Sequence, residues 1–292
     1  MRKTTLAGLA LTGAAFLFGS TFVVVKSSVE AFPPLNFVAW RFLVGGVALA
    51  LLALPKGVKL WRDAFASGVF LFLGYAFQTV GLTMTSASNS ALITGLYVVI
   101  TPLLASALAR RAPDPWVSIG VMVAFVGTAL LTMSDGLRLE TGDLLTVGCA
   151  FAFSGHIVSL ARFAPRHPVV SFTSAQILVT SLLAFGAAFW LEGIEVPTPE
   201  VLPGLLGTAL AVSGGAYLLQ IWAQTVVGAS RTAVILALEP AFGVATAAVV
   251  LGERLTTAAW IGAGLIVGAI YVVIARTGET DVARAEAVTE AH

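Results

Sequence analysis

The chain has 292 residues, 58% of them hydrophobic and 11% charged, with a formal net charge of +1. A soluble domain carries about 25% charged residues, so a chain this apolar cannot cover its own core with polar surface, and lipid must be the solvent for most of it. The near-neutral balance by itself says nothing about nucleic acid or acidic partners, since what informs is where the charges lie, and the single cysteine, Cys149, excludes a disulfide framework or multi-cysteine metal site and reads as a small buried hydrophobe.

In chain order, Arg2 and Lys3 precede an apolar run from Leu6 to Val25. The run is longer than a signal-peptide core and no small-residue cleavage site follows, so it is read as a first, uncleaved membrane helix. Apolar runs bounded by charges, Pro or Gly predict about ten spans, at about 5–25, 36–54, 65–83, 89–108, 116–133, 142–161, 169–190, 202–226, 232–251 and 258–275. Each is predicted to be helical, because lipid offers no partner for free backbone N–H and C=O groups. Connections are short, with no room for a soluble domain. Residues 277–292 are read as a disordered cytoplasmic tail.

The basic residues set the expected orientation. With the N-terminus in the cytoplasm, the cytoplasmic segments hold Arg2, Lys3, Lys56, Lys59, Arg62, Arg110, Arg111, Arg162, Arg166, Arg231, Arg276 and Arg284. The other side holds Lys26, Arg138 and Arg254, while Arg41 falls inside the second span. This positive-inside bias predicts an inner-membrane protein with both termini cytoplasmic. Trp40, Trp61, Trp116, Trp190 and Trp260 fall near span ends, as an aromatic belt requires.

The sequence also repeats. Tyr75-Ala76-Phe77-Gln78 matches Tyr217-Leu218-Leu219-Gln220, and the same register pairs Ala87-Ser88 with Ala229-Ser230, Ala91 with Ala233, Ile93 with Ile235 and Gly120 with Gly262. Earlier in the halves, Gly13, Phe16 and Phe18 pair with Gly148, Phe151 and Phe153. The expected organisation is therefore an all-α membrane protein of ten transmembrane helices: residues 1–135 form one five-helix repeat and residues 136–276 the second. An odd number of spans inverts the second copy, the architecture secondary transporters use for alternating access.

Polar residues within spans are costly and tend to face a cavity or a partner. Thr21, Gln78 and Tyr97 come out in the outer half of the membrane, and their repeat equivalents His156, Gln220 and Glu239 in the inner half, which predicts one polar cluster per side. Gln78 and Gln220 can donate and accept hydrogen bonds, suiting an amino acid's ammonium and carboxylate; interhelical bonding is the alternative. Tyr75 and Tyr217 share their helix faces, and with Tyr97 and Trp222 they could stack on an aromatic substrate or simply pack. Pro102 and Pro240 are candidate hinges, since proline frees a carbonyl and weakens a helix locally. Glu239 and His156 could form a proton-responsive pair. Arg41 either snorkels to the outer surface or binds a carboxylate. Gly264-x-x-x-Gly268 fits a close helix contact, within or between monomers.

Phe18-Gly19-Ser20-Thr21, Pro33-Pro34, Trp40-Arg41-Phe42, Leu238-Glu239-Pro240 and Leu251-Gly252-Glu253-Arg254-Leu255 together resemble the EamA-type exporters of the drug/metabolite transporter superfamily, over about residues 5–275. Arg110-Arg111 stands where that family often has a Gly-Glu-Arg-like turn. The resemblance implies a ten-helix fold, no ATPase, and export of amino acids or other metabolites: aromatic amino acids, threonine, homoserine, purines or drugs. The aromatic face favours aromatic amino acids. No H-E-x-x-H, G-x-S-x-G or Walker motif is present, and Ser154 and His156, two apart on a helix, face different ways. An enzyme is therefore not expected, nor is a cofactor or metal. A passive facilitator and a lipid-linked sugar translocase remain open. The expected partners are a small-molecule substrate and the lipid bilayer, with no nucleic acid; monomer and homodimer are both compatible.

Overall fold

A computed structural model describes residues 2–85, 90, 93–110, 112–132, 141–251, 256–258, 260–269 and 271–272. Among the described residues the regular structure is all helical. The helices are α1 (Arg2–Ser20), α2 (Phe22–Ala31), α3 (Pro34–Leu52), α4 (Val58–Leu82), α5 (Tyr97–Ala109), α6 (Pro115–Thr132), α7 (Thr141–Phe163), α8 (Val169–Leu191), α9 (Leu202–Thr208), α10 (Tyr217–Leu236), α11 (Leu238–Leu251) and α12 (Trp260–Ala269). A short 3-10 turn, Ala164–Arg166, follows α7, and a π-helical segment, Ala209–Ala216, joins α9 to α10. Helical stretches long and apolar enough to cross a membrane are Lys3–Ala31, Pro34–Leu52, Val58–Leu82, Gly142–Arg166, Val169–Leu191 and Leu202–Leu236. Tyr97–Ala109, Pro115–Gly127 and Trp260–Ala269 are shorter apolar helices. The 277–292 tail, the Gly252–Leu255 part of the resemblance motif and the Ala87-Ser88 match lie outside the described residues.

Proline and local side chains set several helix starts. Pro33 and Pro168 occupy the caps of α3 and α8, each in an extended conformation that precedes a helix. Asp114 Oδ1 accepts from the Trp116 and Val117 N–H groups at 2.8 and 3.3 Å, capping α6. At α3 the cap comes from a distant residue. The Glu192 carboxylate accepts from Leu35 N, Asn36 N and Asn36 Nδ2 at 3.0–3.1 Å, pinning the end of α8 to the start of α3.

Packing follows membrane rules, with small residues and hydroxyl-to-carbonyl bonds replacing the hydrophobic effect. On α7, Gly148 and Gly155 admit the rings of Phe77 and Phe70 from α4; a methyl group at Gly155 would sit 2.6 Å from the Phe70 ring. Between α3 and α8, Ser174 Oγ donates to Gly46 O and Ser181 Oγ to Ala39 O, both at 2.9 Å.

The halves interleave. α7, the first helix of the second repeat, packs on α4 and α5 of the first; α1 packs on α10 and α11 of the second. The α3–α8 pair lies against α4 on one side and the π segment on the other. α6 meets α12, where Gly127 lies against Gly262 and Ile266. Gly264 and Gly268, by contrast, have no neighbours among the described residues within 4 Å of where a Cβ would be.

Helix interruptions recur at matched places. The regular α-helical hydrogen-bond pattern is interrupted at Gly95–Leu96 before α5 and at Ala237 before α11, while Leu96 and Ala237 keep right-handed helical dihedrals. Tyr97 and Glu239 therefore both stand in the first turn after a break. Pro102 lies buried inside α5, where it removes a backbone donor. Pro240 falls in the first turn of α11, a position that tolerates proline, and the break itself is at Ala237. α10 is also split, at Gly228 (φ +78°, ψ 177°), a conformation essentially restricted to glycine.

Candidate functional site

The breaks, the kink at Thr21 and the π segment surround one cavity with two adjoining compartments. One is lined by Thr21, Val25, Arg41, Thr79, Leu82 and Val212; the other by Tyr97, Phe153, His156, Ile157, Tyr217, Gln220 and Leu236. Phe18, Tyr75, Gln78 and Glu239 line both and so join them. α1, α3, α4, α5, α7, α10 and α11 all contribute.

Tyr75 and Tyr217, equivalent positions of the two repeats, meet at the centre: the Tyr217 hydroxyl donates to the Tyr75 hydroxyl at 3.1 Å. Both are buried, and their rings pack edge-on at 6.4 Å. Phe18 and Phe153, also repeat equivalents, flank the pair: Phe18 lies 5.1 Å from Tyr217 and Phe153 lies 5.4 Å from Tyr75. An approximate two-fold relation therefore passes between the tyrosines.

Around this symmetric centre the remaining pairs differ. His156 Nε2 bonds Gln176 Oε1 at 3.1 Å, and the imidazole packs edge-on against Tyr217. Gln78 Nε2 donates to Thr94 Oγ1 at 3.5 Å. The Thr21 hydroxyl turns back to the Leu17 and Phe18 carbonyls. Tyr97 is buried and close enough to Glu239 to interact, yet among the described residues its hydroxyl lacks a geometrically sound hydrogen-bond partner. One turn further along α10 from Gln220, Gln224 Nε2 donates to the Ile157 carbonyl of α7.

Of the residues singled out from sequence, Thr21, Tyr75, Gln78, Tyr97, His156, Tyr217, Gln220 and Glu239 line the cavity. The expected division into two clusters, one per side, is not what the structure draws: Gln78 and Glu239 border both compartments. Trp222 stands apart at 37% exposure, because two residues along a helix from Gln220 rotate it about 200° away. Glu239 and His156 share the cavity, with His156 Nε2 directed to Gln176.

The structure adds one residue in force. Arg41 is 3% exposed, so it does not snorkel. Its Nε donates to Ser213 Oγ of the π segment at 3.0 Å, and its guanidinium lies 5.1 Å from the Tyr75 ring centre. The signal was present in sequence, as an arginine at the sixth position of the span expected at about 36–54; its direction was not.

The model of the EamA-like transporter family matches this chain twice, over residues 5–133 and 140–275. The chain belongs to the EamA-like transporter family. Each match spans one of the repeats that meet at Tyr75 and Tyr217. This EamA-like chain is 34% identical to an uncharacterized transporter of Archaeoglobus fulgidus over 275 residues, 94% of this chain and 87% of that protein. It is 28% identical to a probable amino-acid metabolite efflux pump of Salmonella typhimurium over 281 residues, 88% of this chain and 90% of the other. A solved crystal structure shares the fold at a TM-score of 0.75, covering 94% of this chain and 98% of its own, with 24% identity. The protein is thus a multi-pass membrane protein of a transporter family.

Proposed function

We propose that this protein is a secondary transporter that exports small metabolites across the inner membrane by alternating access, and that its cargo is amino acids, aromatic ones included. The observation that carries this reading is the cavity at the repeat interface, with Tyr75 and Tyr217 bonded at its centre. Inverted repeats that share a site between them can exchange conformations, and the exchange moves access from one side to the other. In this reading ten helices cross the membrane, both termini are cytoplasmic, and the Gln224–Ile157 tie closes the cytoplasmic end.

Amino acids suit the lining. Gln78 and Gln220 offer amide donors and acceptors, Arg41 and Glu239 supply both charge-bearing side-chain types, and Phe18, Tyr75, Phe153 and Tyr217 supply aromatic faces. A relative named as a probable amino-acid metabolite efflux pump agrees with that class.

Counterflow in proteoliposomes loaded with unlabelled amino acids tests the reading. Internal phenylalanine or tryptophan is expected to accelerate entry of the labelled compound, and Gln78→Ala to lose that acceleration. Acceleration by threonine or homoserine alone would keep the carrier and discard the aromatic preference. Non-saturable flux without acceleration would make the protein a passive facilitator. No flux of any amino acid would move the cargo to purines, drugs or a lipid-linked sugar.

A further inference from the structure

Among the described residues Arg41 is a charge without a counter-ion. An arginine side chain keeps its charge in any protein setting, and burying a charge is costly unless it is paired and hydrogen-bonded. Arg41 is 3% exposed, lies well inside α3, and has no ion pair among the described residues. The side-chain hydrogen bond it makes among the described residues uses Nε, donating to Ser213 Oγ. Ring faces of Tyr75 and Phe42 lie 5.1 and 5.5 Å from the guanidinium carbon. Those contacts soften the burial but leave the Nη edge, which is shaped to take a carboxylate in two parallel bonds.

The surroundings are built around this side chain. Ser213 belongs to the π-helical segment Ala209–Ala216, whereas the repeat-equivalent stretch of α4, residues 67–74, is ordinary α-helix. Single-turn π segments of this kind gather at functional sites. α3 approaches closely there: a Cβ on Gly45 would sit 2.7 Å from Ala209 O and 2.9 Å from Ser213 Cβ. α3 and α8 start alike, with Pro33 and Pro168 as caps and Phe37 aligned with Phe172. In that register the partner of Arg41 is Gln176, a neutral residue bonded to His156. One half of a symmetric frame therefore carries a buried cation where the other carries an amide.

We propose that Arg41 is the carboxylate anchor of the transport cavity, taking the cargo's carboxylate on its free guanidinium edge. This rests on the carrier reading above and names the chemical group that the carrier selects. A single cation, with Glu239 in the same compartment, matches a monocarboxylate whose amino group points toward Glu239. A phosphate dianion would bring more negative charge than one guanidinium balances.

The test separates binding from transport. Thermal unfolding in detergent micelles is followed during titration with phenylalanine, threonine, their amides, phenylethylamine and inorganic phosphate. For the wild type, a free amino acid is expected to raise the unfolding midpoint, with the amides and the amine binding roughly tenfold to a hundredfold more weakly. In Arg41→Gln the amino acid and its amide are expected to bind alike, while the unliganded midpoint stays at or above wild type, because an uncompensated buried charge has been removed. Arg41→Lys keeps the charge without the planar fork, and is expected to bind amino acids at an intermediate strength.

Equal binding of amide and acid by the wild type overturns the proposal. So does stabilisation by phosphate alone, absence of any shift, or a lower unliganded midpoint in Arg41→Gln, which would mark a structural arginine. Counterflow on the same samples judges the carrier reading separately. Carboxylate-selective binding without counterflow would leave Arg41 as an anchor and remove the carrier. Counterflow of amines and amides as fast as acids would keep the carrier and remove the anchor.

Discussion

The hydroxyls of Tyr75 and Tyr217, 3.1 Å apart on two buried side chains, satisfy each other. Removing one leaves the other as a buried polar group without its partner, which costs about 1–3 kcal/mol. Removing both replaces the pair by two apolar rings of nearly the same shape. We therefore expect Tyr75→Phe and Tyr217→Phe each to lower stability, and the double variant to lower it by less than their sum. A double-mutant cycle read by thermal unfolding in detergent checks this; strict additivity would mean that the hydroxyls are not coupled. At the same scale, Arg41 and Trp222 exchange the weights that sequence position assigns them. Trp222 lies two residues from Gln220, and helical rotation alone turns it away from the cavity. Arg41 lies near a span end in sequence, where snorkelling is the natural expectation, but the π segment presents Ser213 to its Nε and holds it inward. Sequence position carries depth; it does not carry the hydroxyl that a neighbouring helix brings.

Among the elements, the contact of α1 with α11 is the most exacting. A Cβ on Gly19 would run into the Glu239 carbonyl and come within 2.8 Å of the Gly243 nitrogen. Neither obstacle is a flexible side-chain tip, so the helices would have to separate. Gly19→Ala is expected to cost about 1–3 kcal/mol by overpacking, with slower exchange because Glu239 moves with the displaced backbone. Gly186→Ala in α8 is the control: nothing lies within 4 Å of its Cβ position, so helix propensity should make it neutral or stabilising by up to about 1 kcal/mol. Unfolding midpoints of the two variants give the comparison. Helix identity was the readable part at this scale, because length and apolarity determine it; Pro34–Leu52 and Val169–Leu191 fall close to the runs seen in sequence. The interruptions at Gly95–Leu96, Ala237 and Gly228 were not readable. Glycine is tolerated inside helices, and Ala237 is itself a strong helix former, so only the tertiary frame decides where such helices break. Pro102 and Pro240 marked the right helices, although the break at α11 precedes its proline.

At the scale of the whole molecule, α1 with α10 and α11 forms one group, and α7 with α4 and α5 forms another. The bond from Gln224 Nε2 to the Ile157 carbonyl joins α10 to α7, hence one group to the other, on the side of the cavity away from Thr21. Among the described residues Gln224 Oε1 has no partner, so the tie is a single bond there and can be lost in an exchange of conformations. Gln224→Leu is expected to shift the population toward a form open at that end. In a Cys149→Ser background, a cysteine placed at His156 should then react faster with an impermeant thiol reagent applied from the proposed cytoplasmic side, and more slowly from the other. Unchanged reactivity from both sides would show that this bond does not hold the end closed. The repeat itself was legible from Tyr75-x-x-Gln78 and Tyr217-x-x-Gln220, since an ungapped register survives where single apolar matches would not. The interleaving was not, because nothing in a linear register says that α1 packs on the far half.

That interleaving bears on how the protein is made. α1 leaves the ribosome roughly 200 residues ahead of the α10 surface it packs against, a delay on the order of 10–40 seconds at ordinary rates of synthesis. Throughout that interval the face formed by Ala7, Leu11, Ala14, Ala15 and Phe18, later buried, has only lipid to cover it. The residues on that face are small or apolar, so it can wait in the bilayer without an unsatisfied polar group. A polar substitution there, such as Leu11→Asn, would act before folding is complete, through a helix left waiting beside the insertion machinery.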